Sequence, residues 1–236
     1  MLTGRESWIP DEVGTAGREN LDKVHVARYD DKEDGNAAEE VAMLLALDLP
    51  PDPTVIDLGA GTGQFALAIA ARARRVVAVD VSLVMLTQLT ANVERSGVTH
   101  VECVQAGFLT YEHIGDPADL IYSRYALHHL PGFWKAVALA RLATMIRPGG
   151  ILRLWDVVYS FDPAETGPVL ERWFEDDASD SIDQGWTRAE LEEHVRDENS
   201  TFTWLLEPMI QKAGFSIEAA DYGNGQISAR YLCRRR

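Results

Sequence analysis

The chain alternates between two hydrophobic rhythms. Compact apolar runs at residues 55–58, 76–79, 100–105, 120–123, 151–157, 215–222 and 227–233 are rich in β-branched and aromatic residues and predict strands. Between them, apolar residues return at every third or fourth position. This predicts helices over 37–47, 64–74, 82–95 and 131–147, and a further one before Gly214. Side-chain chemistry marks the ends. Ser82 suits an N-cap, Gly97 a C-terminal stop and Pro131 a first helical turn, while Pro148-Gly149-Gly150 cannot continue a helix. Within residues 19–33, Leu21, Val24, His25 and Arg28 also share helical spacing, until Gly35-Asn36 breaks it.

Strands that alternate with helices predict an α/β fold: a mostly parallel sheet of seven strands with helices on both faces. The tight Gly223-Asn224-Gly225 turn predicts that the last strand returns antiparallel. Residues 1–35 read as an N-terminal helical or lid segment, and residues 36–236 as one domain. One stretch does not fit the core pattern. Residues 160–200 hold thirteen acidic and three basic residues around Trp173, Phe174 and Trp186, and Thr187-x-x-Glu190 suits the start of a short helix. Because it follows the fifth strand, this insertion falls at the ligand edge of the sheet. It is either an acceptor lid or a solvated loop, and its aromatics favour the lid.

Charge narrows the partners. With 37 acidic and 22 basic residues the net charge is −15, which argues against a nucleic-acid backbone as partner. The basic tail Arg234-Arg235-Arg236 reads as solvated. Cys103 and Cys233 fall in strand-like runs, with neither a disulfide framework nor a Cys/His metal spacing, so no metal is expected. No apolar leader or membrane-length run is visible, and the expected location is the cytoplasm. The sequence does not fix an oligomeric state.

The chemistry concentrates in Val55-Ile56-Asp57-Leu58-Gly59-Ala60-Gly61-Thr62-Gly63. An apolar strand runs into alternating glycines, which let the backbone turn sharply against a ligand. Asp80 closes the next apolar run, where a carboxylate can accept two hydrogen bonds from a ribose diol. A dinucleotide fingerprint would place its third glycine one position later, where Gln64 stands. Asp57 just ahead of the loop also disfavours a pyrophosphate and favours a cationic ligand.

In Asp57, Gly59, Gly61 and Gly63, followed by Asp80, the chain resembles the class I S-adenosylmethionine-dependent methyltransferases, whose first motif is acidic-x-Gly-x-Gly-x-Gly. The resemblance implies a Rossmann-like sheet and S-adenosyl-L-methionine as cofactor, with S-adenosyl-L-homocysteine as product. It also implies transfer of the methyl group by in-line displacement to oxygen, nitrogen or carbon of a small acceptor. Gly59, Ala60, Gly61, Gly63 and Gln64 would then flank the methionine part. Asp57 would face its ammonium group, Asp80 the ribose, and Val81 and Met85 the adenine. The family often carries an acid near the adenine amino group where this chain has Gly107, which leaves that contact to backbone and to Phe108.

The segment Ser123-Arg124-Tyr125-Ala126-Leu127-His128-His129-Leu130 follows the fourth strand, where the family passes the methionine end and faces the acceptor. Ser123 and Arg124 are therefore cofactor candidates. His128 and His129 are adjacent and project to different sides, which makes one of them a candidate base and the other a packed or capping residue. Tyr29, Tyr125, Trp155, Asp156 and Tyr159 are candidates for the acceptor pocket, since aromatic faces suit a sulfonium or an apolar acceptor. The segment lacks the Pro-Pro-aromatic motif of many nitrogen methyltransferases and the Asp-Asn pair of the metal-dependent catechol type. The competing readings are cyclisation or decarboxylation on the same cofactor, a protein methyltransferase, a non-catalytic nucleotide module, and a nicotinamide oxidoreductase, which the glycine spacing disfavours.

Overall fold

A computed structural model of the protein describes residues 7–17, 20–29, 36–181, 185–223 and 225–236. The predicted break at Gly35, the far end of the expected helix over 19–33 and the turn residue Asn224 lie outside the described residues.

Five strands run parallel: β1 (Thr54–Leu58), β2 (Arg75–Asp80), β3 (Val101–Gln105), β4 (Ala118–Arg124) and β5 (Ile146–Tyr159). β7 (Phe215–Tyr222) and β8 (Ser228–Arg235) complete the path β3-β2-β1-β4-β5-β8-β7, with β8 antiparallel to both of its neighbours. The expected seven strands are therefore present in the expected directions. An eighth, the two-residue β6 (Thr201–Phe202), pairs with the end of β5.

Alternation along the buried strands feeds two core layers. Val55, Val76, Ala78, Leu120, Tyr122 and Ile151 pack on one face against α2 (Ala37–Leu45), α3 (Gln64–Ala70) and α4 (Leu83–Ser96). Ile56, Leu58, Val77, Val79, Ile121 and Leu152 pack on the other face, against α5 (Gly132–Met145) and α8 (Thr203–Lys212). The period of two sends neighbouring residues to opposite layers. A buried bidentate pair fastens α2 to the sheet, with Arg153 donating to both carboxylate oxygens of Glu40 at 2.8 and 2.7 Å.

The local signals behave as their chemistry requires. The Ser82 hydroxyl accepts from the Met85 amide at 3.2 Å, and Gly97 ends α4 at φ +73°. The helix after Pro131 stops at Met145, short of the expected Arg147, because Ile146 has already turned extended to pair with Ala118. Among the described residues, the expected N-terminal helix starts later than Glu19 and is interrupted. Asp22 caps a four-residue α1 (Lys23–Val26), after which the chain turns at Ala27. The described residues of the 160–200 stretch hold α6 (Thr166–Asp177), which the sequence did not suggest, and α7 (Arg188–Asp197) where a short helix was expected. α7 opens with the reciprocal Thr187–Glu190 capping box. Tyr159, Phe161, Val169 and Ile227 form a small core beneath the insertion. Among the described residues, no helix is long and apolar enough to cross a membrane.

Candidate active site

The carboxyl ends of β1, β2 and β4 open into one crevice with two lobes. The larger encloses about 610 Å³, part of it open to solvent, and runs from Asp80, Val81, Met85, Gly107 and Phe108 to Arg124, Tyr125, His129 and Leu130. The smaller encloses about 420 Å³ and is lined by Asp57, Ala60, Gln64 and Phe65. Tyr29, Gly59, Gly61 and Arg124 border both lobes.

The turn between β1 and α3 is held from β2. The amides of Gly59 and Ala60 donate to the Val79 carbonyl at 2.9 and 3.0 Å. The Asp80 carboxylate accepts from the Gly61 amide and from the Ser82 amide, each at 2.8 Å. Gly59 sits at φ +74°, and a Cβ there would stand 2.3 Å from the Ala126 Cβ, so the loop can approach the turn after β4 only without a side chain. Gly63 serves the fold instead of the crevice, since a Cβ there would meet Leu89.

Two buried carboxylates, Asp57 and Asp80, face the crevice. Burial pushes the Asp57 carboxyl up to about 8, with the nearby Asp80 charge adding to the rise. Asp57 Oδ2 has no hydrogen-bond partner among the described residues. Burial also raises Asp80, against the amide hydrogen bonds of Ser82 and Gly61 that lower it. A cationic group entering the crevice would compensate both.

The far end is built on the turn after β4. Tyr125 holds φ +49°, a left-handed conformation that is costly for a large side chain and is fixed here by its amide donating to the Trp155 carbonyl at 2.8 Å. The Arg124 guanidinium lies 4.9 Å from the centre of the Tyr125 ring and 4.6 Å from that of Trp155. Next along the turn, His128 is buried with Nδ1 2.5 Å from Asp156 Oδ1 and Nε2 2.9 Å from Glu198 Oε2. The same Glu198 oxygen lies 2.6 Å from His194 Nδ1 and 3.8 Å from His129 Nδ1. Burial opposes the charge on His128, but Asp156 and Glu198 outweigh it and lift the ring to about 9. Burial and the charge of His128 push His129 down to about 3. The Lys135 ammonium, also buried, donates to the carbonyls of His128 at 3.4 Å, of Leu130 and of Asn199, tying this turn to the insertion.

Most of the predicted residues converge on this crevice, and some do not. Asp57, Gly59, Ala60, Gly61, Gln64, Asp80, Val81, Met85, Gly107, Phe108 and Arg124 line it, as do Tyr29, Tyr125 and His129. Ser123 lies fully buried within β4, one position out of phase with Tyr122. His128, Trp155, Asp156 and Tyr159 stand behind the wall: His128 and Asp156 face each other, Trp155 lies under the Arg230 guanidinium at 3.7 Å, and Tyr159 packs against Phe161.

The sequence reading missed Glu12, Thr15, Ala16 and Asn20, which line the crevice from the N-terminal segment. Glu12 is buried, and its carboxylate accepts from the Leu109 amide at 3.1 Å and from the Thr110 hydroxyl at 3.0 Å. No local motif marks it. His194 and Glu198 were missed as well, although their four-residue spacing places both on one face of a helix.

Comparison with known proteins agrees with this geometry. Residues 55–150 match the family described as a methyltransferase domain. An uncharacterized methyltransferase of Anoxybacillus flavithermus is 25% identical over 169 residues, which cover 66% of this chain and 77% of that protein. The structure of magnesium protoporphyrin IX methyltransferase from Synechocystis PCC 6803 superposes with a TM-score of 0.66 at 13% identity, covering 98% of this chain and 100% of that one. The 4+2 cyclase SpnF superposes with a TM-score of 0.63 at 15% identity, over 85% of this chain and 80% of its own. At such identities the two superpositions show a shared fold.

Proposed function

We propose that the chain is a class I S-adenosylmethionine-dependent methyltransferase that methylates a small-molecule acceptor held between Arg124, Tyr125, His129 and Leu130. S-adenosyl-L-methionine occupies the two lobes. Its ribose lies against Asp80, its ammonium group faces Asp57, and its adenine lies between Met85 and Phe108. Glu12 supplies the acid that the position of Gly107 lacks. The sulfonium methyl then points along the crevice toward the turn after β4.

The observation that carries the small-acceptor reading is the roof. Glu12, Thr15, Ala16, Asn20 and Tyr29 line the same crevice as the glycine loop, so the N-terminal segment forms part of its wall. A macromolecular acceptor needs an open edge there.

The sulfonium already activates its methyl group, so these residues act mainly by positioning. They hold nucleophile, carbon and sulfur in line and keep water out. Arg124, over two aromatic rings, and the strained Tyr125 fix the acceptor wall. His129 presents an uncharged ring to the acceptor, and His128 positions it from behind.

A methyl-labelled cofactor incubated with a panel of small hydroxylated, amino and carbon-acid compounds tests this reading. Transfer of label to a small compound, with release of S-adenosyl-L-homocysteine, is the expected result. Label appearing only in added protein substrates would move the acceptor class. An acceptor rearranged without gain of mass would move the chemistry to cyclisation.

A further inference from the structure

The cluster behind the acceptor wall has the chemistry of a metal centre. Three imidazoles and one carboxylate converge from two elements distant in sequence: His128 and His129 from the turn after β4, and His194 and Glu198 from the α7 end of the insertion. The candidate ligand atoms of His128, His129 and Glu198 all lie within 4.8 Å of one another. Measured from Glu198 Oε2, the three ring nitrogens stand at 2.6, 2.9 and 3.8 Å. Two ligands on one ion at about 2.1 Å are separated by roughly 3.0–3.4 Å, so the His128 and His194 nitrogens stand near that spacing from the Glu198 oxygen and the His129 nitrogen a little beyond it.

Two further features point the same way. His129 Nδ1 is buried and has no hydrogen bond among the described residues, although it points toward the Glu198 oxygen that His128 and His194 share. The opposite nitrogen of each ring also meets a polar group. His128 Nδ1 faces Asp156 at 2.5 Å, His194 Nε2 faces the Ser200 hydroxyl at 3.0 Å, and His129 Nε2 faces the Asn20 side-chain amide at 3.5 Å. Metal-bound histidines are oriented by such outer partners, which fix the tautomer and leave the inner nitrogen for the ion.

We propose that His128, His129, His194 and Glu198 bind one divalent transition-metal ion of the zinc type. Imidazole-rich sets select zinc and its neighbours over magnesium or calcium, which take oxygen ligands. Four protein ligands form a closed set, as in structural sites. The ion fastens the 160–200 insertion to the turn that carries Tyr125 and His129, and so sets the shape of the acceptor wall. The assignment does not depend on which acceptor is methylated.

Chelator-stripped full-length protein, titrated with zinc chloride against a chromophoric chelator, tests it. One equivalent should bind and raise the melting temperature. Cobalt(II) in its place should give the intense visible absorption of a low-coordinate nitrogen and oxygen site. His194→Ala and Glu198→Gln should each weaken binding by about 100-fold or more, and Asp156→Asn by about tenfold. His113→Ala, whose ring faces Tyr111 and the Asp116 carbonyl, should leave binding unchanged. Absence of stoichiometric zinc binding by the native chain would overturn the proposal, whatever the variants do. So would an affinity that survives both ligand substitutions. In either case the cluster would be a clasp bridged by protons alone.

Discussion

Glu12 and Gly107 compete for one volume: a Cβ built on Gly107 would stand 2.3 Å from Glu12 Oε1. Glu12 belongs to the N-terminal segment, and its carboxylate reaches across 97 residues of sequence to the Leu109 amide. The missing side chain after β3 is thus the socket that seats the segment. Gly107→Ala should push the carboxylate out and strand the buried Leu109 amide, at a cost of about 1–3 kcal/mol. Hydrogen exchange at Leu109 should accelerate, and proteolysis within residues 7–17 should begin earlier. Unchanged protection of that amide would show that the segment is held by other contacts.

The raised Asp57 carboxyl gives stability a pH dependence of known sign. Between its unfolded value of 3.8 and about 8, the native chain holds a proton that the unfolded chain lacks, so the stability of the ligand-free protein should fall as pH rises through that window. Asp57→Asn should flatten this part of the profile. In the proposed complex the cofactor's positive charge pulls the proton off, so binding at pH 7 should release protons in the wild type and fewer in the variant. Calorimetry in buffers of different ionisation enthalpy reads the difference, and equal proton release by both proteins would remove Asp57 from the site.

Gly59→Ala combines two faults that can be separated. The new methyl group would lie 2.3 Å from the Ala126 Cβ, and the residue would have to keep φ +74°. Overpacking and a left-handed alanine each cost about 1–3 kcal/mol. Adding Ala126→Gly should relieve the clash and leave the backbone cost, so denaturant midpoints should show partial recovery. Full recovery, or none, would contradict this division.

Lys135→Met should loosen the turn after β4 although Lys135 itself does not line the crevice. It removes the donor from the carbonyls of Leu130 and Asn199, at a cost of about 1–3 kcal/mol each, while the His128 carbonyl keeps the Asn199 amide at 3.1 Å. The expected result is a loss of about 3 kcal/mol or more in denaturant unfolding. The affinity of the folded fraction for S-adenosyl-L-methionine should be nearly unchanged, since Lys135 lies outside both lobes. A selective loss of cofactor affinity would place the residue in another role.

The sequence by itself determined the sheet and the glycine-loop edge of the crevice. Both arise from interactions between near neighbours along the chain: apolar runs that bury themselves as strands, glycines that permit φ values near +74° and +54°, and an acid at each of two strand ends. Tertiary structure decided which residues stand opposite one another across long separations. β5 is buried on both faces, so its sequence shows no polar alternation to tell that Trp155 faces one layer and Asp156 the other. Sequence left residues 160–200 open between a lid and a solvated loop because their contacts are long-range: a small core shared with Ile227, and a clasp joining His194 and Glu198 to His128 and His129. Glu12 finds Gly107 for the same reason. A hydrogen bond closed over 97 residues leaves no periodic trace in sequence, since nothing in the local pattern depends on it.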